Sequence, residues 1–235
     1  ADRLAEAIGP DTGLVILCSP NNPTGRTYDA DAVNAVVDAA AEHDAYVVAD
    51  EVYLGLSYER DPQGVAAMTG HPENVLTVNS CSKRYAMTGW RVGWLAGTTD
   101  IVDQATKIHE STTSCASSVS QHAAVAALTG PQDAAADMYD AFRERRDYVV
   151  DRVATIDGLT CPRPEGAFYA FLDPDLPGTS LEMAEHLLRE YGVVLAPGDG
   201  FGEAGDGHVR LSFANSLDRL ETGLDRLERA IDDAQ

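Results

Sequence analysis

Residues 79–93 read Asn-Ser-Cys-Ser-Lys-Arg-Tyr-Ala-Met-Thr-Gly-Trp-Arg-Val-Gly. The stretch holds Lys83, one of only two lysines in the chain, with Ser80 and Ser82 just before it and Arg91 eight residues after it. A lysine amine condenses with carbonyl groups, and hydroxyls together with a planar guanidinium hold a phosphate dianion. These residue types therefore favour a loop that binds a phosphorylated aldehyde.

Short apolar runs alternate with a helical pattern in the first part of the chain. The runs at 13–18, 45–49 and 74–78 each end in a polar loop, and residues 29–43 carry apolar residues at helical spacing. This alternation predicts buried parallel strands joined by helices. Open sheets of this class bind ligands at the carboxyl edge of their strands, where the polar loops would lie.

The pattern changes after a long amphipathic helix predicted for residues 133–156. Beyond it we expect a strand, a helix, two strands and a closing helix, at 166–171, 180–190, 193–197, 208–213 and 216–231. The sequence therefore predicts two domains. Residues 1–140 would form part of a large α/β domain with a mostly parallel sheet, and residues 141–235 a small C-terminal α+β domain.

Composition restricts the partners. The 235 residues carry a net charge of −21, with a pI of about 4.4. Such a surface repels nucleic acid and anionic membranes, so neither is expected as a partner. The same composition is typical of a halophilic, cytoplasmic protein, whose surface carboxylates stay hydrated in high salt. The four cysteines are scattered and indicate reduced thiols, and the six histidines show no ligand spacing, so no metal is expected.

Three motifs together carry a family resemblance. They are Ser-Pro-Asn-Asn-Pro-Thr-Gly at 19–25, the lysine stretch at 79–93, and His-Val-Arg-Leu-Ser-Phe-Ala at 208–214. They resemble the class I and II aminotransferases of fold type I, in particular the aspartate aminotransferase-like group, which use pyridoxal 5'-phosphate. The resemblance implies a fold type I transferase that is a homodimer when complete. It also implies transfer of an amino group between an amino acid, with an aspartate-like one favoured, and a 2-oxo acid.

The resemblance implies catalytic roles for three side chains. Lys83 would bond to the cofactor aldehyde and, once displaced by substrate, move a proton to and from the substrate carbon. Asp50 would face the pyridinium nitrogen, because a lone carboxylate at a strand end is costly to bury without a partner; a turn cap is the alternative. Tyr53 would donate to the phenolate oxygen of the cofactor, or else be a core aromatic. Tyr169 is a candidate for either a pocket wall or the core.

Binding residues follow from the same resemblance. Ser80, Ser82 and Arg91 match a phosphate clamp, and the apolar neighbours of Arg91 indicate burial. Asn22 matches the asparagine that bonds the phenolate oxygen and the substrate carboxylate, in a turn with a cis Asn-Pro peptide. Arg210 matches the arginine that clamps the substrate α-carboxylate. Turn chemistry for the serines and ion pairs for the arginines are the alternatives.

Complete members of this family carry more than is found in this chain. They have a glycine-rich turn for the phosphate, an aromatic side chain that stacks on the cofactor ring, and a segment that covers the pocket; none of these can be placed in residues 1–18. We therefore interpret the chain as the C-terminal part of an aminotransferase and expect its sheet to lack strands. Two alternatives stay open: a pyridoxal-phosphate-dependent carbon–sulfur β-lyase, and an inactive or regulatory aminotransferase-like fragment.

Overall fold

A computed structural model describes residues 2–59 and 61–235. The chain divides into two compact units: the first holds Thr27–Ala136 together with the residues up to Pro20, and the second holds Asn21–Arg26 together with Asp137–Gln235. The sequence predicts a boundary after residue 140, whereas the structure changes unit after Ala136. The assignment of Asn21–Arg26 to the second unit is new, because the local pattern of a turn does not reveal which part of the chain it packs on.

Four strands form the sheet of the first unit: β1 (Leu14–Cys18), β2 (Tyr46–Asp50), β3 (Val75–Ser80) and β4 (Gly93–Ala96). Their order is β1-β2-β3-β4, with β1, β2 and β3 parallel and β4 antiparallel to β3. The predicted α/β class with a mostly parallel sheet is therefore confirmed. Because parallel strands point the same way, β1, β2 and β3 all end at one edge of the sheet.

The helices of the first unit are α1 (Asp2–Ala7), α2 (Ala30–Glu42), α3 (Val65–Met68), α4 (Thr99–Thr113) and α5 (Ser118–Thr129). Single 3-10 turns lie at Leu54–Leu56, Pro72–Asn74 and Thr88–Trp90. Helix α2 begins after Asp29, whose carboxylate accepts the N–H of Ala32 at 2.9 Å. This N-cap satisfies a backbone donor that the first turn leaves without a partner.

The two faces of this sheet differ. Val15, Leu17 and Val47 point to one face and are buried in a cluster with the apolar stripe of α2. Leu14 and Ile16 point to the other face and are 52% and 69% exposed. Among the described residues β1 is therefore buried on one face only. Side chains alternate along a strand, and the described cluster around α2 covers only one of the two faces of β1.

The second unit contains an antiparallel sheet. Its strands are β5 (Leu159–Thr160), β6 (Tyr169–Pro174), β7 (Ala196–Pro197) and β8 (Val209–Ser212), in the order β5-β6-β8-β7. All three pairings are antiparallel. The strand predicted at 193–197 is only two residues long because Val193 completes the preceding helix, where its N–H donates to Leu187 O at 3.0 Å.

The second unit contains α7 (Ser180–His186) and α8 (Leu217–Asp232). It also contains helix α6 (Asp133–Val153) from Asp137 onward, while the first turn of α6 belongs to the first unit. Helix α7 continues as one π-helical turn, Leu187–Tyr191. The two segments together cover the helix that the sequence predicts at 180–190. Helix α8 buries a stripe of apolar side chains, namely Leu220, Leu224, Leu227, Ala230 and Ile231. None of the helices in the described part of the chain has the length and apolar character needed to cross a membrane.

Candidate active site

Asp50 and Ser80 lie on the same face of the sheet at its carboxyl edge. Asp50 ends β2 and pairs in register with Val78, which stands two residues before Ser80 at the end of β3. Register partners and residues two apart share a face, so both polar side chains point the same way. Asp50 is half-buried, and its Oδ1 accepts the N–H of Val52 at 3.2 Å. One carboxylate oxygen is thus held by the turn after β2.

Tyr53 and Lys83 stand next to each other on the loops after β2 and β3. Tyr53 is 5% exposed, and the Nζ of Lys83 lies 5.6 Å from the centre of its ring. Lys83 is half-buried, in contrast to the exposed Lys107 of α4. The structure therefore brings together an amine, a phenol and, on the same sheet edge, the Asp50 carboxylate.

The three residues predicted to hold phosphate line one cavity. Ser80, Ser82 and Arg91 contribute to a cavity of about 620 Å³ that is bordered by β3, β4 and α4. Ser82 is buried, and its N–H donates to Ser80 Oγ at 3.2 Å. Lys83 and Asp50 do not line this cavity. It therefore corresponds to the hydroxyl and guanidinium part of the site only.

Arg91 corrects an expectation from the sequence. Its apolar neighbours indicated burial, but Arg91 is exposed, and its Nη1 donates to Thr88 O at 3.0 Å. The backbone explains the difference: Arg91 follows the 3-10 turn Thr88–Trp90 and has φ 51 and ψ 49, in the left-handed region. In that conformation the chain turns into β4, and the side chain projects from the sheet edge.

The lysine loop has its own small core. Cys81 and Met87 are buried against Ala124 of α5, so the loop is anchored on both sides of Lys83. At the start of β4, a Cβ on Gly93 would meet Asn79 O at 2.7 Å. Glycine is therefore required there for β4 to approach the end of β3, which places Ser80 opposite Gly93.

Asn22 and Arg210 form a pair within the second unit. The Nη1 of Arg210 donates to Asn22 Oδ1 at 2.7 Å, across 188 residues of sequence. Arg210 is half-buried on β8, where it pairs in register with Phe171 of β6. Its Nε is buried and has no hydrogen-bond acceptor among the described residues. The two residues predicted to hold a substrate carboxylate are thus already in contact.

The loop that carries Asn22 is fixed by backbone contacts. The N–H of Asn21 donates to Arg26 O at 2.8 Å, and the N–H groups of Glu165 and Gly166 both donate to Gly25 O, at 2.9 and 2.8 Å. Gly25 has φ +69, and a Cβ there would lie 2.6 Å from Pro164. The Asn22–Pro23 peptide is cis, as the resemblance implies, and Ser19–Pro20 is cis as well.

Sequence reasoning missed two features of these groups. Arg210 contacts two aromatic rings: its Cζ lies 4.3 Å from the ring centre of Tyr169 and 4.7 Å from that of Phe201. Tyr169 was a candidate, but Phe201 was not, because its loop only loosely resembles any motif. Glu51, next to Asp50, is buried, with Oε1 accepting the N–H of Val65 at 2.7 Å. The sequence pattern around Glu51 does not distinguish it from a glutamate on the protein surface.

Burial raises the pKa of the Glu51 carboxyl above its usual range. The hydrogen bond from the backbone of Val65 acts in the opposite direction, and the charge of Asp50 adds to the increase. A carboxyl whose pKa is raised by folding stabilises the fold most when it is protonated. That contribution is complete below the pKa of the unfolded chain and is lost as the pH rises through the folded pKa.

Glu51→Gln is therefore expected to become progressively more stable than wild type as the pH rises above about 4.3, the ordinary pKa of glutamate. Thermal unfolding of both proteins across acidic to neutral pH measures this. Glu182→Gln is the control of opposite sign, because the backbone N–H of Thr179 lowers the pKa of Glu182 and so stabilises the fold at neutral pH. Parallel stability curves for Glu51→Gln and wild type would contradict the assignment.

The residues present fit pyridoxal 5'-phosphate. The first unit supplies a half-buried amine beside a phenol, a carboxylate on the same sheet edge, and two hydroxyls with a guanidinium lining one cavity. These groups match an aldehyde, a ring nitrogen and a phosphate. Residues 2–59 and 61–235 contain no group of three His, Cys, Asp or Glu side chains placed to hold a metal ion.

Comparison with known proteins supports the same family. The sequence profile described as Aminotransferase class I and II matches residues 1–227. A probable N-acetyl-LL-diaminopimelate aminotransferase from Bacillus subtilis is 40% identical over 97% of this chain and 58% of its own length. An aspartate aminotransferase from Geobacillus stearothermophilus is 39% identical over 97% of this chain and 60% of its own length. A solved aspartate aminotransferase from Thermus thermophilus with maleate matches with a TM-score of 0.89 at 37% identity, over 97% of this chain and 59% of that chain. The chain spans about three fifths of the length of these relatives.

Proposed function

Because this chain belongs to the class I and II aminotransferases, we propose that it transfers an amino group from an amino acid to a 2-oxo acid, with pyridoxal 5'-phosphate as cofactor. One observation carries this proposal: Lys83 Nζ lies 5.6 Å from the Tyr53 ring on the loops that follow β2 and β3. Asp50 and Ser80 end those two strands. An amine, a phenol, a carboxylate and a hydroxyl at this edge are the groups that such chemistry needs.

We assign cofactor binding to the first unit, as part of a large domain that the sequence predicts over residues 1–140. When bound, the cofactor supplies an electron sink conjugated to the reacting carbon. Asp50 would keep the ring nitrogen protonated, and Tyr53 would donate to the phenolate oxygen. Ser80 and Ser82 would donate to the phosphate, and the exposed guanidinium of Arg91 would neutralise it.

Lys83 is assigned two tasks. Its Nζ would hold the cofactor aldehyde covalently and, when displaced, take the proton from the Cα of the substrate. Proton transfer by a positioned amine typically contributes about 10²–10⁴-fold to a rate. The anchored loop around Lys83 supports this role, because a base must be held within reach of the proton it removes.

The second unit, part of a small domain predicted over residues 141–235, is assigned recognition of the substrate. Arg210 and Asn22 would bind the α-carboxylate, which all amino acid substrates share, so this pair sets orientation rather than choice. An aspartate-like substrate is proposed because the relatives include aspartate aminotransferases. A dicarboxylate substrate needs a second cation, and no motif places another arginine for that purpose.

We further propose a cytoplasmic, halophilic protein that forms a homodimer when complete. The net charge of −21 supports the first two properties, because hydrated carboxylates keep a surface soluble in high salt. Amino acid and 2-oxo acid substrates are the proposed partners, with neither nucleic acid nor membrane.

The proposal is tested by assaying the complete protein that contains this chain, with added pyridoxal 5'-phosphate, aspartate and 2-oxoglutarate. We expect glutamate and oxaloacetate in equal amounts. The same preparation incubated with cystathionine separates transamination from carbon–sulfur cleavage, because a β-lyase releases ammonia and pyruvate. Cleavage without glutamate formation would replace the proposed function by the lyase, and absence of both products from the complete protein would contradict the proposed function.

A further inference from the structure

The guanidinium of Arg210 has few hydrogen-bond partners but close aromatic neighbours. Nη1 donates to Asn22 Oδ1 at 2.7 Å, while Nε is shielded from solvent and has no acceptor among the described residues. The Cζ atom lies 4.3 Å from the ring centre of Tyr169 and 4.7 Å from that of Phe201. A buried N–H without an acceptor is costly, and ring faces at these distances attract the cation. The rings therefore offset part of that cost.

Phe201 is itself held in place by its surroundings. Its ring meets Phe171 edge-to-face, with 6.3 Å between the centres and 87° between the planes. Its loop is closed by a contact between two glycines: a Cβ on Gly198 would lie 2.2 Å from Gly205 O, and a Cβ on Gly205 would lie 2.1 Å from Gly198 O. The backbone around Phe201 is thus fixed at both ends, and the ring presents a defined surface to Arg210.

We propose that Phe201 is a positioning residue that sets the affinity of Arg210 for the carboxylate of every substrate. The inference rests on the proposed function for the identity of that ligand. With Nε shielded, a carboxylate would approach the guanidinium from its Nη end, and the two nearby rings would restrict the plane of the guanidinium. Fixing that plane in advance removes the loss of side-chain freedom that binding would otherwise require, because a free arginine side chain adopts many rotamers.

Phe201 is a better place to test this than Tyr169. Phe201 is 39% exposed, so a smaller side chain there leaves no internal cavity, whereas Tyr169 is buried in β6. Phe201→Leu removes the ring and keeps an apolar side chain, and Phe201→Tyr keeps the ring. We expect Phe201→Leu to raise the KM for aspartate, alanine and 2-oxoglutarate by the same factor, roughly 5- to 30-fold, with kcat unchanged. Phe201→Tyr is expected to restore the wild-type KM.

A binding measurement gives a readout other than activity. Maleate carries carboxylates but cannot transaminate, and calorimetry is expected to give the same fold-loss in affinity for Phe201→Leu. In an Arg210→Lys background, Phe201→Leu should change maleate affinity little further, because lysine has no plane for the ring to fix. A structural role for Phe201 would instead give additive losses in the double variant.

The outcomes separate the two proposals. If wild type transaminates and Phe201→Leu has the same KM and maleate affinity, this inference is overturned and the proposed function stands. A fall in kcat with KM unchanged also overturns it. If wild type binds maleate without transaminating, the proposed function fails and calorimetry on Phe201→Leu and Phe201→Tyr still decides the inference. A wild type that does neither overturns both.

Discussion

Replacing Lys83 by alanine is expected to lower transamination by at least about 10²–10⁴-fold, because the variant would lose both roles proposed for Lys83, the covalent anchor of the cofactor and the base at the substrate Cα. Lys83 is half-buried, with its Nζ 5.6 Å from the centre of the Tyr53 ring, and the second lysine of the sequence is exposed on α4. Wild type with pyridoxal 5'-phosphate should show a visible absorbance band from covalently bound cofactor, and the Lys83→Ala variant should lack it.

The composition of the chain makes this prediction unusually direct to check. Lys107 is the only other lysine, and it is exposed on α4, where its Nζ donates to Gln104 Oε1 at 3.3 Å. Lys107→Ala is therefore the matched control and should keep full activity. After reduction with borohydride, peptide mapping should find the label on Lys83. A label on Lys107, or a reducible adduct retained in Lys83→Ala, would refute the assignment.

Asp50→Asn is expected to lower kcat by roughly 10²–10³-fold while the protein still folds and binds the cofactor more weakly. Asparagine keeps an Oδ1 that can accept the N–H of Val52, so the turn after β2 should survive. What would be lost is the negative charge that we propose keeps the ring nitrogen of the cofactor protonated. Steady-state kinetics and a titration with pyridoxal 5'-phosphate separate the effect on turnover from the effect on binding.

Glu51→Gln is the natural control, because it removes a carboxylate from the adjacent position. Glu51 is buried and bonded to the N–H of Val65 rather than directed at the sheet edge, so turnover should change little. If Glu51→Gln and Asp50→Asn lower kcat equally, the total negative charge at this position matters rather than the Asp50 carboxylate in particular. A near-wild-type rate for Asp50→Asn would mean that the ring nitrogen is controlled by another group.

The parts of the site that were predictable from the sequence follow strand ends. An apolar run that ends in a polar residue marks the carboxyl end of a buried strand, and this pattern predicts that Asp50 and Ser80 lie at one edge of the sheet. The pairing of β2 with β3 then makes their proximity a consequence of register. The mostly parallel sheet is confirmed for the same reason, since alternating strands and helices leave few other topologies.

The parts that were not predictable depend on contacts distant in sequence or on local backbone. The burial expected for Arg91 was wrong: the residue is exposed and has a left-handed φ of 51, and no neighbouring residue type signals that conformation. The contact between Phe201 and Arg210 depends on how two glycines close a loop. Glu51 differs from a surface glutamate only through the position of Val65.

The assignment of Asn21–Arg26 to the second unit has a consequence for the order of folding. Asn22 and Arg210 are 188 residues apart in sequence, so their contact closes one of the longest loops that this chain can form. Loop-closure entropy delays such contacts until shorter-range structure has formed, and a chain made on the ribosome cannot form this one before β8 has emerged. We therefore expect the contact between Asn22 and Arg210 to be among the last native features of this chain to form.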